Sequence, residues 1–523
     1  MEKYISVHNN QSIAIDSIPE SGYDDFAKTN LALLRDNPSR HCVNYFGYNT
    51  SQGLKLICCL ADDVTAEIYI SSSIVPDGAT LDCMTAVNNN FERFEREISE
   101  NYGIGFTNHP WLKPVRYAAN RTDKTKRIEN YPFLKSEDEE LHEVGVGPIH
   151  AGVIEPGHFR FICNGEQIMH LEIQLGYQHR GIEQLFLTKN RLIERITLAE
   201  NIAGDTTVGH TTAFVNLWES LCGFKPDYEL DLHRTIAQEL ERIAIHTGDL
   251  AAMCTDIAYQ LGNAVYGRLR TPIINFLQEW CGNRLAKGLI RPFKSNYPFN
   301  KELAERLIAI LNAYQPDFEE ITEKFGKLPS ALSRMEKTGV VNYKQMLNIG
   351  TVGMSAKMSG LQRDIRWSHP YNLYGKIINH APVLKHHGDV YSRFQIRKEE
   401  VKQSVEYLRL LINNLPTNNL TLISNIPSEN QPFNNNLTTN SQSVIENYNP
   451  LPSMFSISLV EGWRGEICHC AITDNEGKLI LYKIKDPSFH NWMALAQAVR
   501  NNEISDFPIC NKSFNLSYCG HDL

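Results

Sequence analysis

The chain lacks the segments that would place it in several large classes of protein. No uninterrupted apolar run approaches the roughly 18–20 residues of a membrane-spanning helix. The first residues have neither the basic region nor the apolar core of a signal peptide. With a formal net charge of −9 and no long Lys/Arg run, no nucleic-acid partner is expected. We therefore predict a cytoplasmic protein that reaches a membrane only through partner subunits.

The twelve cysteines contain no C-x-x-C pair, which is the usual unit of zinc and iron–sulfur sites. In a cytoplasmic protein we expect most of them to be reduced, buried and small apolar residues. Cys468 and Cys470 lie in an alternating, strand-like run, so their thiols should point to one face. Two ligands cannot close a metal site, which favours packing there. A G-x-G-x-x-G motif within a βαβ unit is also missing, so NAD should not bind this chain itself.

A length of 523 residues predicts more than one domain, because single cores seldom exceed roughly 250–300 residues. The pattern predicts an α+β fold, in which an N-terminal α/β domain precedes a mainly helical domain with small β elements at its two ends. The predicted segments are an α+β unit (1–118), a charged linker (119–143), a helical unit (144–412), an Asn-rich flexible insertion (413–450) and a C-terminal unit (451–523).

Local patterns support this division. Residues 54–61 and 66–75 are β-rich runs, and residues 158–173 are typical of a hairpin that turns at Asn164–Gly165. A second hairpin should turn around Asp474–Gly477 and be followed by a short helix over 492–500. Helical periodicity dominates from about residue 183 to 412.

Two charged motifs each leave two interpretations open. "YQHRGIEQL" places His179, Arg180 and Glu183 within one helical turn, as a charged patch at a junction or partner surface, or as the ordinary first turn of a helix. "DIRWSHPY" groups Asp364, Arg366 and His369 beside a chain-breaking proline, as a buried ion-pair cluster or as part of a proton path.

Several stretches, in order along nearly the whole chain, resemble the large subunit of membrane-bound, energy-converting nickel–iron hydrogenases of the formate-hydrogenlyase type. They are "GPIHAGVIEPGHFRF", "GYQHRGIEQLF", "GTVGMSAKMSGLQRDIRWSHPYNLY" and "VEGWRGEI…YKIKDPSFHNW…DFPICNKS". "FEREISENYGIGFTNHPWLKPVRY" resembles the small hydrophilic subunit of respiratory complex I, fused in front. The same fold serves as the quinone-site subunit of complex I. The resemblance implies a neighbouring small subunit that holds an iron–sulfur cluster, antiporter-like membrane subunits, and a position on the cytoplasmic side of the inner membrane.

The resemblance also shows which metal ligands this chain lacks. Aligning "ENIAGDTTVGHTTA" with the family pattern ERxCGxCxxxHxxA puts the first cysteine pair at Ala203 and Thr206. The second pair falls at Ser517 and Gly520, with Cys519 one residue out of register. Low-valent nickel needs soft, deprotonated sulfur, so we predict neither a nickel–iron centre nor any other metal in this chain.

The complex I pattern is not matched either. Its opening motif GPxHPxxH has two histidines, whereas here His150 matches the first and Ile154 occupies the second position. The tyrosine that complex I uses against the quinone would fall near Ile202–Ala203, where no tyrosine is present. Glu155 lies near the glutamate that relays protons in hydrogenases.

If the fold is that of the family, one cavity should collect the remaining polar residues. We expect Glu155, Asp205, His210 and Arg366 to act there in catalysis or proton relay, with His150 and Lys357 binding a quinone or an anion. The alternative is a satisfied ion-pair network that fills a dead pocket.

Three functions remain in competition. The preferred one is an oxidoreductase subunit of the complex I and hydrogenase type, which couples electron transfer to ion translocation and has a quinone as candidate ligand. The second is a scaffold or coupling subunit whose redox site is extinct. The third, a working nickel–iron hydrogenase, is disfavoured by the missing cysteines.

Overall fold

The computed structural model describes residues 3–152, 154–416 and 449–523. The described chain is α+β, as predicted. Most of the Asn-rich segment 413–450 falls outside the described residues. The strands are β1 (Ile5–Val7), β2 (Ser12–Ala14), β3 (Arg40–Thr50), β4 (Gly53–Asp62), β5 (Glu67–Val75), β6 (Thr80–Asp82), β7 (Gly105–Thr107), β8 (His142–Val146), β9 (His158–Asn164), β10 (Gln167–Gln174), β11 (Met454–Gly462), β12 (Gly465–Thr473) and β13 (Leu479–Lys485).

The helices lie mostly between β10 and β11. They are α1 (Tyr23–Asp36), α2 (Glu92–Tyr102), α3 (Ile182–Thr188), α4 (Leu192–Ala199), α5 (Thr207–Leu221), α6 (Tyr228–Asp256), α7 (Gln260–Cys281), α8 (Lys301–Lys327), α9 (Pro329–Met335), α10 (Tyr343–Ile349), α11 (Met354–Lys357), α12 (Ile365–Ser368), α13 (Val390–Asn413), α14 (Ser488–Ala498), α15 (Phe507–Phe514) and α16 (Tyr518–Asp522).

Two four-stranded antiparallel sheets pack face to face. The first has the order β1-β5-β4-β3 and the second the order β13-β12-β11-β2, so β2 from the N-terminal region completes the C-terminal sheet. Helices α1 and α2 cover the outer face of the first sheet, and α5 covers the outer face of the second. Strand β4 is therefore buried on both faces beyond Lys55, which explains the apolar residues that follow this lysine in "LKLICCLA".

Both predicted hairpins are present. β9 and β10 are antiparallel with Asn164 opposite Gln167, and β12 and β13 pair on either side of the turn at Asp474–Lys478. The helix predicted over 492–500 begins earlier, at Ser488, because the Asp486 carboxylate accepts a 2.8 Å hydrogen bond from the Ser488 amide.

The segment after residue 181 differs from the sequence prediction in two respects. Helical periodicity there is interrupted by Lys189, whose extended backbone separates α3 from α4. α3 begins only at Ile182, after Gly181 in the left-handed region at φ 70°, so His179 and Arg180 precede the helix and do not share its first turn. This places the Arg180 side chain beside the end of the chain.

The long helix α6 lies at the centre of the helical unit and packs against α5, α7, α13 and α15. The Asp227 side chain caps its start by accepting a hydrogen bond from Leu230 N at 2.9 Å. Several charged residues of α6 are buried, including Glu239, Glu241 and Arg242. Because buried charges need partners, they define where polar chemistry lies in this fold.

Candidate functional site

The first half of the candidate site is the turn before α5. Ala203 and Thr206 are buried there. Glu241 of α6 accepts hydrogen bonds from the amides of Val208 (2.7 Å) and Gly209 (3.1 Å), which satisfies N–H groups in the first turn of α5. Burial raises the pKa of Glu241 to about 8, although the two amides oppose the shift. A protonated carboxyl at neutral pH thus lies at the edge of the site.

The second half is the segment between α15 and the end of α16. Asn515 ends α15 in the left-handed region at φ 45°, and Ser517 Oγ caps α16 by accepting a 2.8 Å hydrogen bond from Gly520 N. Cys519 Sγ lies 3.5 Å from Ser517 Oγ. Burial and the neighbouring Glu155 carboxylate raise the pKa of Cys519 to about 12, so its sulfur is a thiol at neutral pH.

Arg464, in the turn between β11 and β12, joins the two halves. Its guanidinium forms a bidentate pair with Asp205 at 2.7 and 2.6 Å and contacts Thr206 Oγ at 3.1 Å. Its Nε donates to the Asn515 carbonyl at 2.5 Å. Bidentate, charge-assisted bonds are the strongest of the ordinary hydrogen bonds, so this side chain fixes the relative positions of both halves.

A second arginine makes the same connection through the backbone. Arg180 donates to the carbonyls of Asn201 (2.6 Å) and Ile202 (2.8 Å) in the first half and to that of Cys519 (2.9 Å) in the second. The two guanidinium groups therefore connect the two halves of the site.

The residues at the four ligand positions do not fit a thiolate-held metal. Ala203 and Gly520 carry no donor atom, and the hydroxyls of Thr206 and Ser517 are engaged by Arg464 and by the α16 cap. A Cβ placed at Gly520 would lie 2.6 Å from Asp486 Oδ2. The space that a cysteine would need at Gly520 is therefore filled by a carboxylate.

Glu155 and Asp205 lie at the accessible side of the site. The charges of the Glu155 and Asp205 carboxylates both act on the Cys519 thiol and raise its pKa. The Asp205 side chain is 37% exposed. The structure thus brings together two of the predicted residues, with Cys519 between them.

His210 is fully buried behind the site. Its Nε2 lies 3.0 Å from Asp486 Oδ2, and its Nδ1 lies 3.1 Å from His469 Nε2. The His210 side chain connects to the second half of the site through Asp486, which lies against Gly520.

Lys357 and Arg366 lie in a separate buried network, so the expectation that they line the same cavity is corrected. Lys357 Nζ is 2.9 Å from Asp364 Oδ2 and 2.5 Å from Glu400 Oε1. Arg366 pairs with both oxygens of Asp364, at 3.0 and 2.8 Å. Three buried carboxylates compensate these charges, namely Glu239, Asp364 and Glu400, and Glu461 lies 3.6 Å from Lys357 Nζ. "DIRWSHPY" therefore contributes to a buried ion-pair cluster.

The network lies behind the turn that carries Arg464. Arg242, which pairs with Glu239 and Glu400, donates to the carbonyls of Glu461 (2.8 Å) and Gly462 (3.2 Å) at the end of β11. Burial and the charge of Asp364 raise the pKa of Glu461 to about 8.

His150 stabilises a loop. Its Nε2 is 2.8 Å from the carbonyl of Gly157, and its backbone forms a bridge with Ile154. The ring therefore closes the loop between β8 and β9, which leads into Glu155.

A small recess borders the first half of the site. The recess lined by Asp205, Glu241 and Arg284 has a volume of about 10 Å³, about enough for one water molecule. Within the described residues, no group of three or more His, Cys, Asp and Glu side chains is arranged to hold a metal ion.

Sequence reasoning missed Arg464, Asp486 and Glu241. A weak signal existed for two of them, since Arg464 lies between Gly462 and Gly465 at a hairpin turn, and Asp486 directly follows a strand and precedes a proline. Glu241 gave none, because it is one of several charged residues in a helical pattern. Its partners, Val208 and Gly209, are backbone groups of another helix.

Comparison with known proteins defines the class. The chain is similar to the hydrogenase-4 component G of Escherichia coli, with 25% identity over 441 residues that cover 81% of this chain and 72% of the relative. It is 25% identical over 382 residues to the membrane-bound hydrogenase subunit alpha of Pyrococcus furiosus (71% of this chain, 85% of the relative). It is 26% identical over 408 residues to the C/D fusion protein of the NADH-quinone oxidoreductase of Phocaeicola vulgatus (70% and 77%).

These relatives are subunits of multisubunit complexes of the hydrogenase and complex I types, and the suspected resemblance is confirmed. The family "Respiratory-chain NADH dehydrogenase, 49 Kd subunit" matches residues 259–522. The chain belongs to this family and has a general role in an oxidoreductase complex. In the part of the chain that the structure describes, no helix is long and apolar enough to cross a membrane.

Proposed function

We propose that this chain is a peripheral subunit of a membrane-associated oxidoreductase complex in which electron transfer drives ion translocation, and that it works without a nickel–iron centre. The observation that carries this proposal is the site between α5 and α16. It keeps the family frame, but Arg464 and Asp486 fill it where the family pattern has sulfur. Charged and titratable groups remain, so the site can hold and move protons.

The partners follow from the family. A small subunit with an iron–sulfur cluster would supply electrons, and antiporter-like membrane subunits would carry the ions, on the cytoplasmic side of the inner membrane. A quinone is the candidate electron acceptor. The recess of about 10 Å³ beside Asp205 does not hold a quinone ring, so a quinone could bind there only if the residues that line it moved apart.

A second function is that of a coupling scaffold with an extinct redox site. It is favoured by the ion pairs and hydrogen bonds that connect the two halves of the site. Arg464 and Arg180 hold the two halves together, and the Lys357 network is compensated by buried carboxylates. In a scaffold these ion pairs transmit movement between subunits and no group in the site needs to change its protonation.

The purified complex tests both functions. Metal analysis comes first, and stoichiometric nickel assigned to this subunit would overturn the proposal. The iron–sulfur cluster is then reduced and turnover is measured with quinones and sulfur compounds, together with coupled ion transport in vesicles.

Glu155→Gln is the decisive variant because it removes one titratable group at the accessible side of the site. We expect turnover and transport to fall about tenfold or more, the lower end of effects seen when a proton-transfer group is removed. Glu166→Gln, at an exposed hairpin turn, is the matched control and should behave like wild type. Unchanged transport in Glu155→Gln would instead support the scaffold.

A further inference from the structure

Four buried side chains form a continuous line of hydrogen bonds behind the site. Tyr482 Oη is 2.8 Å from His469 Nδ1, His469 Nε2 is 3.1 Å from His210 Nδ1, and His210 Nε2 is 3.0 Å from Asp486 Oδ2. They come from β13, β12, α5 and the segment after β13, and none is more than 1% exposed. Each imidazole uses both of its nitrogens within the line.

The proton positions along this line are determined from its inner end. Burial alone would raise the pKa of Asp486, but the His210 hydrogen bond and the charge of Arg464 outweigh it, so this pKa is lowered and the group is a carboxylate. A carboxylate only accepts, so His210 carries its proton on Nε2 when neutral. Burial holds the pKa of His469 well below its usual range, so His469 is neutral.

The remaining assignments follow in sequence. In the neutral form of His210, Nδ1 accepts, which requires a proton on His469 Nε2. His469 Nδ1 then accepts, which requires Tyr482 to donate its hydroxyl proton. All three hydrogen bonds therefore point in one direction, towards Asp486.

The two ends of the line reach different places. At the inner end, Asp486 Oδ2 lies against Gly520, in the second half of the site. A Cβ at Gly520 would be only 2.6 Å from this oxygen. At the outer end, Tyr482 stacks on Phe186 with ring centroids 4.0 Å apart and lines a surface recess of about 50 Å³ together with Asn101, Tyr102 and Lys483. A polar recess of this volume holds water.

We propose that Tyr482, His469, His210 and Asp486 form a proton relay that connects this surface recess with the site and compensates charge there. When negative charge arrives at the site, Asp486 takes the Nε2 proton of His210, His210 takes that of His469, and His469 takes that of Tyr482. Tyr482 regains a proton that bulk solvent supplies through water in the recess. One proton enters, no electrons move, and the same path returns the proton when the charge leaves. The relay rests on the proposed function for its purpose, but its proton positions do not.

The test uses Tyr482→Phe, which removes only the hydroxyl and keeps the ring that stacks on Phe186. Tyr102→Phe is the matched control, because Tyr102 lines the same recess and its hydroxyl donates to the Gly47 carbonyl outside the relay. Two-bond proton–nitrogen correlation spectra of the 15N-histidine-labelled chain read the tautomers without any turnover. We expect His210 and His469 in the Nε2–H form, and in Tyr482→Phe a shift of the His469 Nδ1 signal that Tyr102→Phe does not show.

The second measurement is turnover of the complex in H2O and D2O. Tyr482→Phe should lower the rate about tenfold or more and change the solvent isotope effect, whereas Tyr102→Phe should change neither. An Nδ1–H tautomer at either ring, or a wild-type rate with a wild-type isotope effect in Tyr482→Phe, would overturn the relay. A wild-type complex without any turnover would count against the proposed function instead, while the tautomers would still decide the arrangement of the relay.

Discussion

Replacing Glu241 by glutamine should remove a pH dependence of stability that this one carboxyl imposes. The folded chain raises the pKa of Glu241 from 4.5 to about 8, mainly by burial. Because the folded value lies above the unfolded one, the contribution to stability is complete below the unfolded pKa and is lost as the pH rises through the folded pKa. Glutamine resembles the protonated acid and does not titrate.

The size of the effect follows from the shift. Well between the two pKa values each pH unit costs about 1.4 kcal/mol, and the cost levels off near the folded pKa, so the wild-type chain should lose about 2.3 kcal/mol from this group between pH 6 and pH 8. Ionisation of this carboxyl should also affect the amides of Val208 and Gly209, because both amides donate hydrogen bonds to it. The first turn of α5 should therefore open more readily at the higher pH.

Urea unfolding of the purified chain at several pH values measures how the global free energy of unfolding changes with pH. Amide exchange of the peptide that contains Val208 and Gly209 measures how the free energy of local opening changes with pH. Glu241→Gln should flatten both, while Glu336→Gln, at an exposed position, should keep the wild-type slopes. Equal slopes in Glu241→Gln and wild type would refute the reasoning that the folded chain keeps this carboxyl protonated.

Three further outcomes are expected. Glu219→Ala should destabilise the chain by about 3–5 kcal/mol in urea unfolding, because it removes the buried carboxylate that pairs with Arg234 at 2.7 and 2.8 Å. A loss below about 1 kcal/mol would mean that this ion pair is not desolvated. Gly520→Ala should cost about 1–3 kcal/mol, because the new methyl meets Asp486 and Ser517 at 2.6 and 2.8 Å, and an unchanged melting temperature would show that this space is open. Asn300→Ala should cost about 1 kcal/mol by removing the cap on Leu303 N, which thermal unfolding beside the exposed variant Glu302→Gln would measure.

Local patterns predicted the elements whose causes are local. The hairpin at Asn164–Gly165 and the run "LKLICCLA" were recognisable because turn chemistry and burial on both faces leave marks within a few residues. The start of α14 was misplaced because it depends on one hydrogen bond from Asp486. A single hydrogen bond leaves no periodic pattern of apolar residues in the sequence, so it could not be predicted.

The site was predicted less completely. The resemblance located Ala203, Thr206, Ser517 and Gly520, which the structure places in the two halves that Arg464 and Arg180 connect. It did not predict that Lys357 and Arg366 would be drawn into another network, because the carboxylates that pair with them come from α6, α13 and β11. The partner of a buried charge depends on which elements pack together in the fold. The separation of the two residues along the chain does not predict the pairing.

The pairing of β2 with β11 has a consequence for the order in which the chain is made. Ser12–Ala14 leave the ribosome early, yet the strand beside which they lie, at Met454–Ser456, is made only after the entire helical unit. Pairings between such distant residues form slowly. Until then β2 is an unprotected strand that another chain can bind.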